Sequence, residues 1–502
     1  MRIMKKWAII LCAVLLALGT LLFIPVSFSY GSATNDTSWF DDDNRLTSYK
    51  ITTESQLMGL ASLVNEEQVD KWKSTRIESF AGVTFTLMKD IELTRDWKPI
   101  GYDESAHFSG IFDGNGHTIS AMNIKQGVEN AGFFGYLGGE VRNLTVKGSI
   151  ESQSGSCGGI AGYINSSAKV TDCVSSVNVK GEDKIGGVVG YNNGGSIEGC
   201  TNNGKVTGLY KVGGVVGENW GGAVYQSCNT GKVSSTKRGV ATYGTGGVAG
   251  RSVAVTSSVI ECYNTGNIKS DTEATGGVVG YTNASGATIK SCYNKGSIRI
   301  MNKEKVNNQI KTYAGGIVGV VGMKGVVIKN CYNTGVIGDA SVLGGIIGRY
   351  LNESDNKDVF IKNNYFVKSF SVAGIGDCQE NGTEEIENAT TASSGSLGGV
   401  TSSLGVAFIN EISGAYNNGG SPVLHWQKPV TAEEKAYDTN ISMSLQKELD
   451  KYLVESADEE VYGKSILNVF NPANFLSGAS ATYGEIESQL PNIEIPHKKN
   501  TK

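Results

Sequence analysis

The apolar positions of this chain recur at an interval far too long for a single helix or strand. A glycine-framed apolar element, GGφφG, starts at Gly158, Gly186, Gly213, Gly246, Gly276, Gly315 and Gly344, in steps of 28, 27, 33, 30, 39 and 29 residues. The related AGFFG starts one step earlier, at Ala131. Six cysteines keep the same beat: Cys173, Cys200, Cys228, Cys262, Cys292 and Cys331. An apolar residue stands three places before five of them, at Val170, Ile197, Val259, Ile289 and Ile328, and Tyr225 takes that place before Cys228. A glycine follows by four at Gly204, Gly266, Gly296 and Gly335. An apolar residue follows by six at Val179, Val206, Ile268, Ile298 and Ile337. After Cys228 these two positions, Gly231 and Val233, come one residue early. Short β-branched segments separated by Gly, Asn and Ser predict strands rather than helices.

One such unit cannot bury its apolar face alone. Stacking equivalent segments ~4.8 Å apart pairs their backbones and builds a continuous core. The pattern therefore predicts an all-β chain, a right-handed parallel β-helix (β-solenoid) of about 8–10 coils. The two longest steps place inserted loops at residues 234–245 and 299–313.

The flanks read differently. In residues 53–66, Leu57, Leu60, Ala61 and Val64 have helical spacing, and Thr53 and Gln56 have the spacing of a capping box, which predicts an amphipathic helix covering the first coil. VTFTLMKDIEL alternates as a strand, and DGNG at 113–116 is a turn. IKNNYFV at 361–367 puts Asn364 where a cysteine stood and reads as a last, degenerate coil. Residues 408–427 would close the domain, and residues 431–456 read as helical and charged. The expected division is a signal segment 1–33, an N-terminal cap 34–80, first coils 81–150, repeats 151–375, a closing segment 376–429 and a partly helical tail 430–502.

Arg2, Lys5 and Lys6 precede an apolar run from Trp7 to about Val26, followed by the small residues Gly31 and Ala33. This is the pattern of a secretory signal peptide, or of an uncleaved N-terminal anchor. Either places the bulk of the chain outside the cytoplasm, with membrane contact only through that segment. The formal net charge of −5, without a long Lys/Arg run, excludes a general nucleic-acid binder. The 67 glycines, against 7 prolines, fit tight turns between short strands.

WKPIG at 97–101, FSGIFDGNGHTIS at 108–120 and GGVVGYNNGGSIEGC at 186–200 together resemble the GLUG-motif proteins of bacterial surfaces. The chain is also similar to the β-helical N-terminal region of immunoglobulin-A-cleaving zinc metalloproteases. The resemblance covers about residues 50–427. It implies a surface location and a β-helix fold, and it implies no reaction.

The protease part of that comparison is missing. Only His107, His117, His425 and His497 occur, and none begins an HExxH pair. Asp41, Asp42 and Asp43 read as a solvated run, Asp113 and Asn115 as turn residues, and His117 as structural. No paired carboxylates recur beside a basic residue, as a polysaccharide lyase or glycoside hydrolase would need. No catalytic, cofactor-binding or metal residue is therefore expected. Tyr191, Trp220, Tyr281 and Tyr350 follow glycine elements. They form a binding stripe if they share a face, and otherwise shield the core. The six periodic cysteines read as an inward ladder of free thiols, although strand spacing would also allow disulfides. Cys157 and Cys378 are off the beat. The expected function is a secreted or cell-surface, non-catalytic scaffold for adhesion, glycan or envelope interaction, with an extracellular glycan or protein as partner. The alternative is a polysaccharide-cleaving enzyme.

Overall fold

The computed structural model describes residues 35–65, 80–125, 127–153, 155–236, 242–301, 311–323, 325–351, 360–367, 373–378, 390–393, 397–411 and 418–427. The signal segment and the tail expected from sequence lie outside these residues, as do the middles of both inserted loops. One coil shows the plan. Ser196–Glu198 belongs to sheet I, Thr201–Asn202 and Val206–Gly208 to sheet II, Tyr210–Gly213 to sheet III and Val216–Trp220 to sheet IV. The chain then re-enters sheet I at Ala223–Tyr225, paired parallel with Ser196–Glu198. Among the described residues sheet IV has nine strands, so the solenoid has about nine coils, and every pairing between coils is parallel.

The beat seen in sequence is the inward column of sheet I. Val141, Val170, Ile197, Val224, Val259, Ile289, Ile328 and Ile361 are mutual register partners and all are buried. Each coil then turns from sheet I to sheet II through one left-handed residue. These are Asn143, Asp172, Gly199, Gln226, Glu261, Ser291, Asn330 and Asn363, with φ of 44–62°. The residue after it points inward.

This register corrects one reading. The inward column holds Val224, not Tyr225, and the position after the left-handed Gln226 is Ser227, not Cys228. Thr201 pairs with Cys228, so Cys200 stands opposite Ser227. Counted from Ser227, Gly231 and Val233 fall four and six residues on, as in the other coils, and the apparent short repeat disappears. The corner column is thus Cys173, Cys200, Ser227, Cys262, Cys292, Cys331 and Asn364. Each of the five corner thiols donates to the carbonyl two residues back, at 3.2 Å. Ser227 Oγ makes the same bond to Tyr225 at 2.8 Å. Asn364 occupies the cysteine position as expected, and its Nδ2 donates to Ile328.

The second repeated motif interlocks with the first. Asn202, Asn229, Asn264, Asn294 and Asn333 point inward and are buried. Each Nδ2 of the first four donates to the Oδ1 of the next, at 2.7–2.8 Å, and to the carbonyl of its own following glycine. The room for each amide comes from the second glycine of a GGφφG element: a Cβ on Gly187, Gly214, Gly247, Gly277 or Gly316 would collide with Asn202, Asn229, Asn264, Asn294 or Asn333 respectively.

At the N-terminal end the expected helix spans Glu54–Val64, with Thr53 as N-cap accepting from the Gln56 amide at 3.2 Å. Leu57, Leu60, Leu63 and Val64 join the main core. Gln56 Oε1 reaches back to the amide of Thr52 rather than Thr53. The solenoid begins earlier than the sequence division implies, because Ser48–Ile51 is already the edge strand of sheet I, paired with Thr84–Leu87. Of the closing segment, Thr390–Ser393 adds the last strand of sheet II, beside Asn364–Val367. The segment's antiparallel pair, Phe408–Ile409 with Val423–Leu424, lies against the flank of sheet II.

Candidate binding face

Four outward surfaces compete as a functional site, and three are already satisfied by the chain itself. The first holds the residues weighed from sequence. Asp41 caps the short 3-10 turn Asp42–Asn44. Asp113 accepts from the Asn115 amide at 2.8 Å and pairs with Arg142 at 2.9 Å. His117 Nδ1 lies 3.1 Å from Asp90. His107 packs on Tyr136, with ring centroids 5.7 Å apart. All serve turns and coil contacts. Among the described residues no three His, Cys, Asp or Glu side chains gather as a metal site would require.

The second surface is the seam of sheets III and IV. Its outward column on sheet IV reads Tyr136, Tyr163, Tyr191, Glu218, Arg251, Tyr281, Val320, Arg349 and Asp377. Tyr136 and Tyr163 stack on each other at 4.3 Å, so their faces are not open to a sugar. Lys184 lies over Tyr191, Lys211 over Tyr243, Arg251 over Tyr281 and Arg349 over Tyr313, at 4.8–5.8 Å. Buried Glu218 bonds Arg251 at 2.6 Å and Lys211 at 3.3 Å. Burial, with the charge of Glu218, pushes the Tyr191 hydroxyl up to about 12.

The third surface is the column following the corner on sheet II. Tyr263, Tyr293 and Tyr332 stack at 4.9 Å with planes within 2°. Cys228 is the next member of this column, opposite Tyr263. The closing segment covers it. Leu397, Leu404, Phe408 and Leu424 pack on the rings, and Tyr332 donates to the carbonyl of Pro422. Trp426 bonds the Glu261 carbonyl at 3.0 Å, and Tyr293 reaches Gln427.

The fourth surface is the outer face of sheet I. Its entry column carries Glu140 and Lys169 in the early coils and then turns small, with Ser196, Ala223, Ser258, Thr288 and Val327 making a floor. Its exit column runs Arg142, Thr171, Glu198, Tyr225, Ile260, Lys290, Lys329 and Lys362. Along the turn from sheet IV the rim carries exposed apolar side chains: Trp220 at 45%, Val255 at 68% and Met323 at 45% exposure. Gly221, with φ of 70°, lets the chain turn directly after Trp220. Trp39, Trp97 and Trp426 are half-buried or buried, so Trp220 is the one exposed indole among the described residues. At the N-terminal end of this face, burial raises the carboxyls of Asp172 and Glu198, and the charge of Asp172 raises Glu198 further.

The four aromatics picked out in sequence therefore do not make one stripe. Tyr191 and Tyr281 share the satisfied seam, Trp220 stands on the rim, and Tyr350 points into the main core. The two tyrosine columns were missed. A signal existed for one of them, in the tyrosine after the cysteine of CYNTG and CYNKG.

Seven of the eight described thiols are shut away from solvent. Cys157, Cys173, Cys200, Cys228, Cys262, Cys292 and Cys331 are buried and form no disulfide. Burial pushes the Cys157 thiol up to about 12 and those of Cys200, Cys262 and Cys331 well above their ordinary value.

These features define a parallel β-solenoid. The GLUG motif matches at residues 184–207, a span of about one coil. Over 97 residues the chain is 35% identical to Halomucin of Haloquadratum walsbyi; that stretch is 19% of this chain and about 1% of Halomucin's length. A crystal structure of a candidate immunoglobulin A1 protease from Bacteroides ovatus is similar over 79% of this chain and 95% of its own, at 18% identity and a TM-score of 0.36. Likeness at that level carries no argument about activity.

Proposed function

We propose that this chain is an exported, surface-located, non-catalytic scaffold that binds an extended extracellular glycan along the outer face of sheet I. The observation that carries the reading is Trp220, an exposed indole without a ring partner among the described residues, at the end of a sheet IV strand and two glycines ahead of Ala223 of the floor. A sugar ring needs an open aromatic face and nearby polar groups, and the other large aromatic columns spend their faces on each other or on the closing segment. The N-terminal segment read from sequence supports export. The long flank of a solenoid suits an extended ligand.

The test is binding of the full chain to an array of host and microbial polysaccharides, beside the Trp220→Ala variant. The expected result is retention of at least one glycan and a loss of roughly tenfold or more in the variant, the scale of ~1–3 kcal/mol per stacking aromatic. Equal binding by both proteins sinks the assignment of the face. Cell fractionation should recover the protein outside the cytoplasm.

One observation favours a second reading, polysaccharide cleavage. Asp172 and Glu198 bring two carboxyls of raised pKa together on the same face. New reducing ends or unsaturated sugars released by the wild type, and not by Asp172→Asn/Glu198→Gln, would establish it.

A further inference from the structure

Lys290, Lys329 and Lys362 occupy one outward register position on three successive strands of sheet I. Neighbouring strands lie ~4.8 Å apart, so three like charges line up along the axis within about 10 Å. Like charges directly opposite one another on paired strands destabilise a sheet. Alternating acids would relieve this, and the chain uses that device elsewhere: Arg251 stands opposite Glu218, and Arg349 opposite Asp377, each as an ion pair. At Lys329 and Lys362 it does not. Lys329 and Lys362 form no ion pair among the described residues. The nearest acid on the corner, Glu261, is held by the Tyr225 hydroxyl and the Gln226 amide. At Lys290 burial lowers the ammonium's pKa; the charge of Glu261 acts against this, and the charge of Lys329 adds a smaller lowering.

We infer that the lysine column is the electrostatic half of the binding face, and that its ligand is a polyanionic polysaccharide, sulfated or rich in uronate, lying along the solenoid axis. The inference rests on reading the outer face of sheet I as the binding face and names the chemistry of the ligand there. Along that face Lys169, Asp172 and Glu198 come first and balance in part, Tyr225 follows, and the three lysines come last, the longest run of like charge in the exit column. A polyanion is held by that last run. The floor between rim and lysines is made of Ala223, Ser258, Thr288 and Val327, which leaves room for a chain of sugars. A nucleic acid fits less well: three lysines on a chain of net charge −5 are few for a phosphate backbone.

The probes are heparin, chemically desulfated heparin, neutral dextran and double-stranded DNA, measured with the full chain at several salt concentrations. Lys329→Glu/Lys362→Glu is compared with Lys205→Glu/Lys232→Glu, which makes the same change in net charge at exposed positions of sheet II. Lys329→Gln/Lys362→Gln serves as a milder variant, and circular dichroism checks that each is folded. The expected result is heparin binding that weakens at least tenfold in the sheet I charge reversal, with a shallower salt dependence, and that is unchanged in the sheet II control. Desulfated heparin and dextran should bind weakly or not at all. Equal heparin affinity in both reversed variants overturns the inference, and so does DNA binding as tight as heparin through the same lysines. If the chain binds a neutral glycan through Trp220 and ignores heparin, the inference falls and the binding face stands. If no polysaccharide binds, both fall.

Discussion

Gly277 lies directly over the side chain of Asn294, so close that a Cβ on the glycine would strike the amide. The two repeated motifs of this chain are therefore two halves of one joint. The asparagine satisfies the turn glycine and the next coil, and the glycine of the opposite wall leaves it the space. Gly277→Ala should cost roughly 1–3 kcal/mol, the range for overpacking a dense core. Asn294→Ala should cost about as much, because it strips the Asn264 amide and the Gly296 carbonyl of a buried partner. The double variant should cost less than the sum, since the cavity of one relieves the clash of the other. Urea unfolding of the four proteins checks this, and strict additivity would contradict it.

The corner thiols act as small donors to a backbone carbonyl, and Ser227 already does the same work. Ser227→Cys and Cys262→Ser should each change stability by no more than about 1.5 kcal/mol, the scale of one neutral hydrogen bond. In the native protein at pH 8, peptides carrying Cys200, Cys262 and Cys331 should stay unlabelled by iodoacetamide, and label fully in denaturant. Labelling of Cys262 in the native state would show that the corner opens.

Removing the clasp over the tyrosine column should loosen only part of the solenoid. Tyr332→Ala takes away a fully buried ring and its bonds to Pro422 and Asn418, and large-to-small changes of this kind cost about 3–5 kcal/mol. Hydrogen exchange should speed up in the coils between residues 262 and 367 and stay slow between 130 and 202. Uniform loss of protection would mean that the coils unfold as one unit.

Acid should undo the N-terminal cap through Glu54. Burial acts to raise its carboxyl, but the hydroxyl and amide of Thr94 and the amide and charge of Arg95 outweigh this and hold it below its usual value. A carboxyl depressed in the fold adds stability that is fully present above the unfolded value of about 4.3 and is lost as pH falls through the lower folded value. Glu54→Gln should flatten that acid limb and cost roughly 1.5–3 kcal/mol at neutral pH, the range for hydrogen bonds to a charged group. Trp39 and Trp97 fluorescence against pH, in both proteins, is the measurement.

The coils were legible in sequence because each repeats the same inward residues at the same corner. The reading slipped by one place at Cys228, where cysteine was used as the ruler; the true marker is the left-handed residue before the corner, and at that coil it precedes a serine. The joint between Gly277 and Asn294 was hidden because it links two different walls of the solenoid rather than equivalent positions in successive coils. The seam on sheets III and IV was hidden for a different reason. Its column changes type at nearly every step, from tyrosine to glutamate to arginine, so no period exists to find. The clasp joins Tyr293 to Gln427 across 134 residues, and no local pattern encodes such a contact. Trp220 was picked out in sequence, but its isolation from the other aromatics follows only from register.

The buried asparagines give the solenoid a direction. From Asn202 to Asn294 every side-chain N–H₂ reaches toward the C-terminal coils and every oxygen toward the N-terminal ones. Their dipoles therefore add rather than cancel, and each bond polarises the next. The thread also has fixed ends. Ser175 stands before its first member and Phe366 after its last. A coil added between those ends would have to bring its own asparagine, facing the same way, or break a polar wire five residues long.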